Sequence, residues 1–225
     1  MFSRKRILLK KLFQNAKTHL NTKITICGWV ESFRVQQNNG IAFLTVNDGS
    51  CLKSLQVILN PNSEEEREKL DSIYEDGTKG VSLEVYGEVV ESPAKGQEIE
   101  MKGETLKILG RVEAAEYPIA KKKLGLEHLR KFPHLRIRTK TFAAIARMRH
   151  TCAMATHTFF HIHDCKYVHT PCITSNDCEG AGETFDISNK TSDGEPFFGK
   201  PVNLTVSGQL HGETYATALG DIYTF

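Results

Sequence analysis

Two groups of side chains have the types and spacing to do chemistry. Gln209 and Glu213 lie four apart just after Ser207-Gly208, so they share one face of a short helix. A turn holding an amide and a carboxylate at the end of a strand suits a small polar ligand. Upstream, Glu179 stands beside Gly180 and near Gly182. Such an acid pairs with an ammonium group, and the glycines permit close backbone approach. An ordinary β-turn-α corner and a polar surface loop are the plain alternatives. The second group is Arg34, Phe43, Gln56 and Glu98. A ring stacks a splayed base, an amide or carboxylate reads a base edge, and a guanidinium holds phosphate. Phe43 as a core residue and Arg34 as a solvated rim charge compete with that assignment.

The elements that must position these residues follow from periodicity. Residues 7–20 form a short helix. Alternation from Ile24 to Glu31 gives a first strand, Ile41–Asn47 a second and Ser54–Leu59 a third, with Asn47-Asp-Gly-Ser50 as a turn. Residues 63–73 are a helix capped by Ser63. Val81–Val89 and Glu98–Ile108 complete five strands, the count and order of an OB-fold barrel. Either Glu98 or Glu100 of the fifth strand accepts from a base. Residues 113–138, with Lys121-Lys-Lys123, read as a basic hinge or a solvated linker. Thr139–Asp164 is a long helix with a narrow apolar seam at Phe142, Ile145, Met148, Cys152, Ala155, Phe159 and Ile162, suited to a sheet or a partner helix. Tyr167–Ile173 is a strand carrying Pro171, and residues 188–200 are an exposed excursion. The chain closes with a strand, a polar turn, a short helix covered by Leu210, Ala216 and Leu219, and a β-rich end at Asp221–Phe225. The domains are therefore 1–21 (basic arm or helix), 22–112 (barrel), 113–138 (hinge) and 139–225.

Composition bounds the function classes. The 225 residues are 40% hydrophobic and 25% charged, ordinary for a globular chain. No apolar run approaches the ~20 residues of a membrane span. The net charge of +2 is uneven. Residues 1–60 hold nine Lys/Arg against two acids, 61–116 seven against fifteen, and 117–140 eight against one. Two basic zones flanking an acidic one suit a polyanion. The six cysteines show no disulfide framework and no C-x-x-C, so no metal site is expected. A reduced compartment fits: the cytoplasm, or a mitochondrion or plastid if the basic start is a presequence.

Several short motifs occur in one order: Cys27-Gly-Trp-Val30, Asn47-Asp-Gly-Ser-Cys51, Leu55-Gln-Val57, Tyr117-Pro118, His134-Leu-Arg-Ile-Arg-Thr139, Thr170-Pro171, Asp177-Cys-Glu-Gly-Ala-Gly-Glu183, Leu204-Thr-Val-Ser-Gly-Gln-Leu210 and Glu213-Thr-Tyr-Ala216. From about Ile24 to Phe225 the chain resembles the asparaginyl-tRNA synthetases, class II aminoacyl-tRNA ligases. The resemblance implies an α+β fold: an N-terminal five-stranded OB-fold barrel followed by a partial class II antiparallel α+β domain. It implies ATP-dependent asparaginylation of tRNA(Asn) in protein synthesis, with L-asparagine and tRNA(Asn) as partners and neither membrane nor DNA. Phe43 would stack, Gln56 and Glu98 read base edges, and Arg34 hold backbone. Glu179 would hold the substrate ammonium, with Gln209 and Glu213 in the amino-acid pocket. Related aspartyl enzymes carry a Lys where Gly212 stands, so Glu213 favours the amide. Thr139–Pro171 would build a homodimer. The family's ATP-holding motifs are expected beyond Phe225, so no catalytic residue is assigned, ATP and Mg2+ binding by this chain is doubtful, and the chain alone is expected to be inactive. A non-catalytic tRNA-binding module and a dimerisation remnant are the alternatives.

Overall fold

A computed structural model describes residues 5–36, 40–61, 63–65, 67–68, 71, 79–94, 96–113, 115–119, 124–176, 184–188 and 190–225. The chain divides into two compact units, Met1–Ala146 and Arg147–Phe225.

The first unit is built on five strands: β1 (Lys23–Val35), β2 (Ala42–Asn47), β3 (Leu55–Leu59), β4 (Ser82–Glu91) and β5 (Ile99–Gly110). They close a barrel in the order β1-β2-β3-β5-β4. Closure depends on the length of β1, which pairs β4 along Lys23–Trp29 and β2 along Trp29–Val35. Period-two alternation sends Leu44, Val46, Leu55, Val57, Leu83, Val85 and Met101 inward, all fully buried. The alternate residues, Phe43, Thr45, Gln56 and Ile58, are half-buried on the outer face. All five strands expected from the sequence are present. The described residues 64, 65, 67, 68 and 71 are helical, with Arg67 N–H donating to the Ser63 carbonyl at 3.2 Å; the rest of that expected helix lies outside the described residues, as does Lys121-Lys-Lys123.

The N-terminal segment is part of the barrel. It forms α1 (Leu9–Gln14) and α2 (Ala16–His19), and Leu9 and Leu12 are fully buried in the barrel core. Leu8, the residue preceding α1, offers no side-chain cap. The turn between β2 and β3 supplies one instead: Leu9 N–H donates to Asp48 Oδ2 at 2.8 Å and Lys10 N–H to Ser50 Oγ at 2.9 Å. After the barrel come α3 (Leu126–Arg130), α4 (Pro133–Arg136) and the long α5 (Lys140–Ile162), which crosses the division between units.

The second unit holds two small sheets. β6 (Lys166–Tyr167) pairs in parallel with β10 (Ile222–Tyr223), and β7 (Ile173–Thr174), β9 (Asn203–Leu204) and β8 (Phe185–Asp186) form the other, in that order. The single strand expected over Tyr167–Ile173 is therefore two short ones in different sheets. Pro171 lies in the connector between them, where it has no ladder N–H to give. The described residues of the excursion at 188–200 are exposed, apart from half-buried Pro196.

The face of α5 that meets the sheet is not the expected seam. Phe160 stacks on Tyr223 at 4.3 Å between centroids and 15° between planes, and His157 Nδ1 lies 2.7 Å from the Tyr223 hydroxyl. The seam residues Met148, Phe159 and Ile162 are 69%, 56% and 68% exposed. Aromatic bulk and a hydrogen bond to Tyr223 decide which side is covered; Phe160 and His157, three apart, were absent from the seam.

Candidate RNA-binding face and amino-acid pocket

The barrel registers set the first site. Arg34 pairs Phe43, which pairs Ile58, and Ser32 pairs Thr45, which pairs Gln56. These are two adjacent cross-strand rows on the outer face. In the first row the Arg34 guanidinium carbon lies 4.7 Å from the Phe43 ring centroid, an exposed cation–π stack. Phe43 therefore faces outward, and its competing assignment to the core does not hold.

The second row is polar and continues onto β5. Ser32 Oγ donates to Thr45 Oγ1 at 2.8 Å. Gln56 Nε2 donates to Glu100 Oε2 at 3.4 Å. Ser92 Oγ and Gln97 Nε2 donate to the same oxygen at 3.0 and 3.3 Å, while Oε1 receives none of the three. Glu100 is only 4% exposed, so its carboxylate depends on these donors for the solvation it has lost. It holds the Gln56 amide in one orientation, leaving the amide oxygen and a second N–H for a base edge. Glu98 is exposed at the entrance to β5. Its carbonyl accepts from Ser92 N–H at 3.1 Å, and among the described residues its side chain makes no hydrogen bond with Gln56. Ser92 and Gln97 carry no signal of this role in the sequence.

The second site lies in the other unit. α6 (Gln209–Leu219) follows the turn after β9. Its start is fixed by a close approach: a Cβ on Gly208 would lie 2.6 Å from the Thr170 hydroxyl, so only glycine fits there without a shift. Gln209 N–H donates to Ser207 Oγ at 3.1 Å. Gln209 Nε2 donates to Glu213 Oε1 at 2.8 Å, so the two expected pocket residues do share a face and touch. Their contact leaves the other Glu213 oxygen and the Gln209 carbonyl as acceptors, a pair that matches the NH2 of a carboxamide. The buried side of α6 is Gly212 with half-buried Ala216, whereas Leu210 and Leu219 are 42% and 53% exposed. Those two leucines do not cover the helix as expected, because Ile222 packs on the glycine row, 3.5 Å from where a Gly212 Cβ would stand. Glu179, with Gly180 and Gly182, lies outside the described residues.

Comparison with known proteins identifies both parts of the chain. Residues 24–109 match the family described as OB-fold nucleic acid binding domain. Residues 126–225 match the class II tRNA synthetases for D, K and N. An asparagine–tRNA ligase of Cytophaga hutchinsonii is 41% identical over 98% of this chain and 49% of its own length. One from Borreliella burgdorferi is 44% identical over 92% of this chain and 46% of its own. The chain thus spans about half the length of the curated relatives it matches. Among solved structures, the asparaginyl-tRNA synthetase of Pyrococcus horikoshii superposes with a TM-score of 0.79 at 21% identity, covering 99% of this chain and 47% of that one.

Proposed function

The chain belongs to the asparaginyl-tRNA synthetase family, and from that premise we propose that it supplies the anticodon-reading and amide-selecting parts of an ATP-dependent asparagine–tRNA ligase. The observation that carries this is the open barrel face. There an Arg34–Phe43 stack lies beside a Gln56 amide oriented by buried Glu100. Phe43 stacks an anticodon base and Gln56 reads the edge of a neighbour. Arg34 leaves the ring to hold a phosphate, and exposed Glu98 accepts from an exocyclic amine.

In the second unit, Gln209 and Glu213 receive the side-chain carboxamide of L-asparagine, and Glu179 receives its ammonium group. Aspartate is rejected because its carboxylate would meet the Glu213 carboxylate and leave Gln209 and Glu213 wrongly paired. ATP and Mg2+ enter this proposal from the family alone. The exposed seam of α5 supports a homodimer formed through Thr139–Pro171.

The test is binding of a tRNA(Asn) transcript to the 225-residue chain, compared with the same transcript carrying an unrelated anticodon. A loss of about tenfold or more is expected, the worth of one or two stacked or edge-read bases. Equal affinity for the two transcripts sinks the assignment.

A further inference from the structure

The first unit carries a concave surface beside the anticodon face, sharing with it the Ser32–Thr45 pair. It is a cleft of about 410 Å3, within the size range of small-molecule sites. It lies at the Trp29–Asn47 end of the β1–β2 ladder, whereas Arg34 and Phe43 lie at the other end and do not line it. Trp29 and Tyr117 give it aromatic walls, and Lys79, Arg138 and Lys140 bring three positive charges.

The wall is preformed. Gly80 has φ +96°, and a Cβ there would lie 2.7 Å from the Tyr117 ring. Gly80 N–H donates to the Val30 carbonyl at 2.8 Å, and Val30 N–H donates to Val81 at 2.9 Å. Tyr117 is thus seated directly on backbone that is locked to β1. The Arg138 guanidinium carbon stands 5.2 Å from the Trp29 ring centroid. Among the described residues, none of the three cations has a carboxylate within ion-pair distance.

The polar groups inside have capacity to spare. The register of β1 slips between Val30 and Ser32, which makes Glu31 the extra residue of a bulge and turns it into the cleft. The Ser54 hydroxyl donates to Glu31 Oε2 at 2.7 Å, leaving Oε1 as an acceptor. The Ser32–Thr45 hydroxyl pair uses one proton between its members and keeps the other to donate.

A basic patch alone would take any anion, and an aromatic slot alone any flat apolar group. Rings, three cations with no carboxylate partner among the described residues, and a donor–acceptor edge in one cleft select a ligand with a flat heterocycle and a phosphate. We propose that this cleft binds a phosphorylated nucleoside, its base against Trp29 and Tyr117 and its phosphate on Lys79, Arg138 and Lys140. The ligand is a free mononucleotide or one nucleotide of an RNA lying along the barrel. The assignment does not depend on the Phe43 face.

Trp29 is the only tryptophan of the chain, so its fluorescence reports on this cleft alone. The full 225-residue chain is titrated with AMP, with adenosine and with a single-stranded oligoribonucleotide, exciting at the red edge where nucleotides do not absorb. AMP is expected to quench Trp29 saturably. Adenosine should bind about tenfold more weakly, and so should AMP in a Lys79→Gln/Arg138→Gln double variant whose circular dichroism is unchanged. A response to the oligonucleotide without one to AMP sustains the site and makes RNA its source; a response to AMP makes a free nucleotide competent. In Phe43→Ala, loss of the oligonucleotide response with the AMP response retained upholds this cleft and concerns the anticodon face only. The proposal is overturned by no response to either ligand, by equal responses to AMP and adenosine, by indifference to the double variant, or by loss of the AMP response in Phe43→Ala.

Discussion

Replacing Phe43 by alanine tests the barrel face where its physics is most exposed. The ring is half-buried on the outer surface and lies outside the barrel core, so the fold should lose no more than about 1 kcal/mol. One binding contribution goes with it: base–aromatic stacking, worth about 1–3 kcal/mol per base. The Arg34 stack on the ring, 4.7 Å to its centroid, is given up when Arg34 takes the phosphate and adds nothing to that loss. A loss of about 2 kcal/mol corresponds to roughly 30-fold in Kd. The assay is fluorescence anisotropy with a labelled anticodon stem-loop across a salt series. Because the phenyl ring carries no charge, Phe43→Ala should leave the slope of log K against log salt unchanged. Arg34→Gln should reduce that slope by about 0.7, the counterion released by one phosphate contact on a single strand. Phe43→Ala affinity within about threefold of the parent, or a changed salt slope, would refute the stacking argument.

Three further expectations follow from other parts of the chain. Asp48→Ala removes the acceptor for Leu9 N–H and for both the Ser50 hydroxyl and amide; a cost of about 2 kcal/mol should lower the melting temperature by several degrees, and an unchanged melt by circular dichroism discards the borrowed cap. Met148→Glu combined with Ile162→Glu, both on the open seam, should turn a self-associating chain monomeric in sedimentation equilibrium; identical behaviour of parent and variant removes the dimer assignment. Burial, then the Glu84 carboxylate whose Oε2 lies 3.7 Å away, pushes the Cys27 thiol above its ordinary value, with Arg6 opposing weakly. The folded chain therefore holds that proton more tightly than the unfolded one, so this contribution to stability is complete below the ordinary thiol value and is lost as pH rises through the raised one. At mildly alkaline pH, alkylation followed by mass spectrometry should label exposed Cys172 well before Cys27, and Glu84→Gln should speed Cys27 labelling about two- to threefold; equal rates at the two cysteines contradict the shift.

The barrel was legible because its signal is local. Alternation in Ala42–Asn47 and Leu55–Leu59 fixes which residues point inward, and Asn47-Asp-Gly-Ser50 fixes where the chain turns. Periodicity could not say that the same turn would serve α1. The Asp48 carboxylate is thirty-nine positions from the Leu9 amide it caps, and no local pattern marks that pairing. The long helix shows the opposite failure. Its seam is real in sequence, yet the side that the sheet covers is chosen by Phe160 and His157 meeting Tyr223, partners more than sixty residues on. Intrinsic apolar spacing describes a face able to be buried; which face is buried depends on what arrives.

The two sites divide along the same line. Gln209 and Glu213 were legible as a pair because helical spacing alone brings them together, and their 2.8 Å contact needs no other element. Glu98 and Glu100 were not separable, since both fall on the same side of one strand. What distinguishes them is the turn from β4 to β5. It folds Ser92 and Gln97 over Glu100, and that shelter lets a carboxylate sit 4% exposed beside Gln56. An acid held in that way is poor at meeting a base directly and good at fixing the amide that does. Under the proposed function, the selectivity of the barrel face resides in the orientation of Gln56, and Ser92 and Gln97, which touch no nucleotide in this scheme, carry part of it through Glu100.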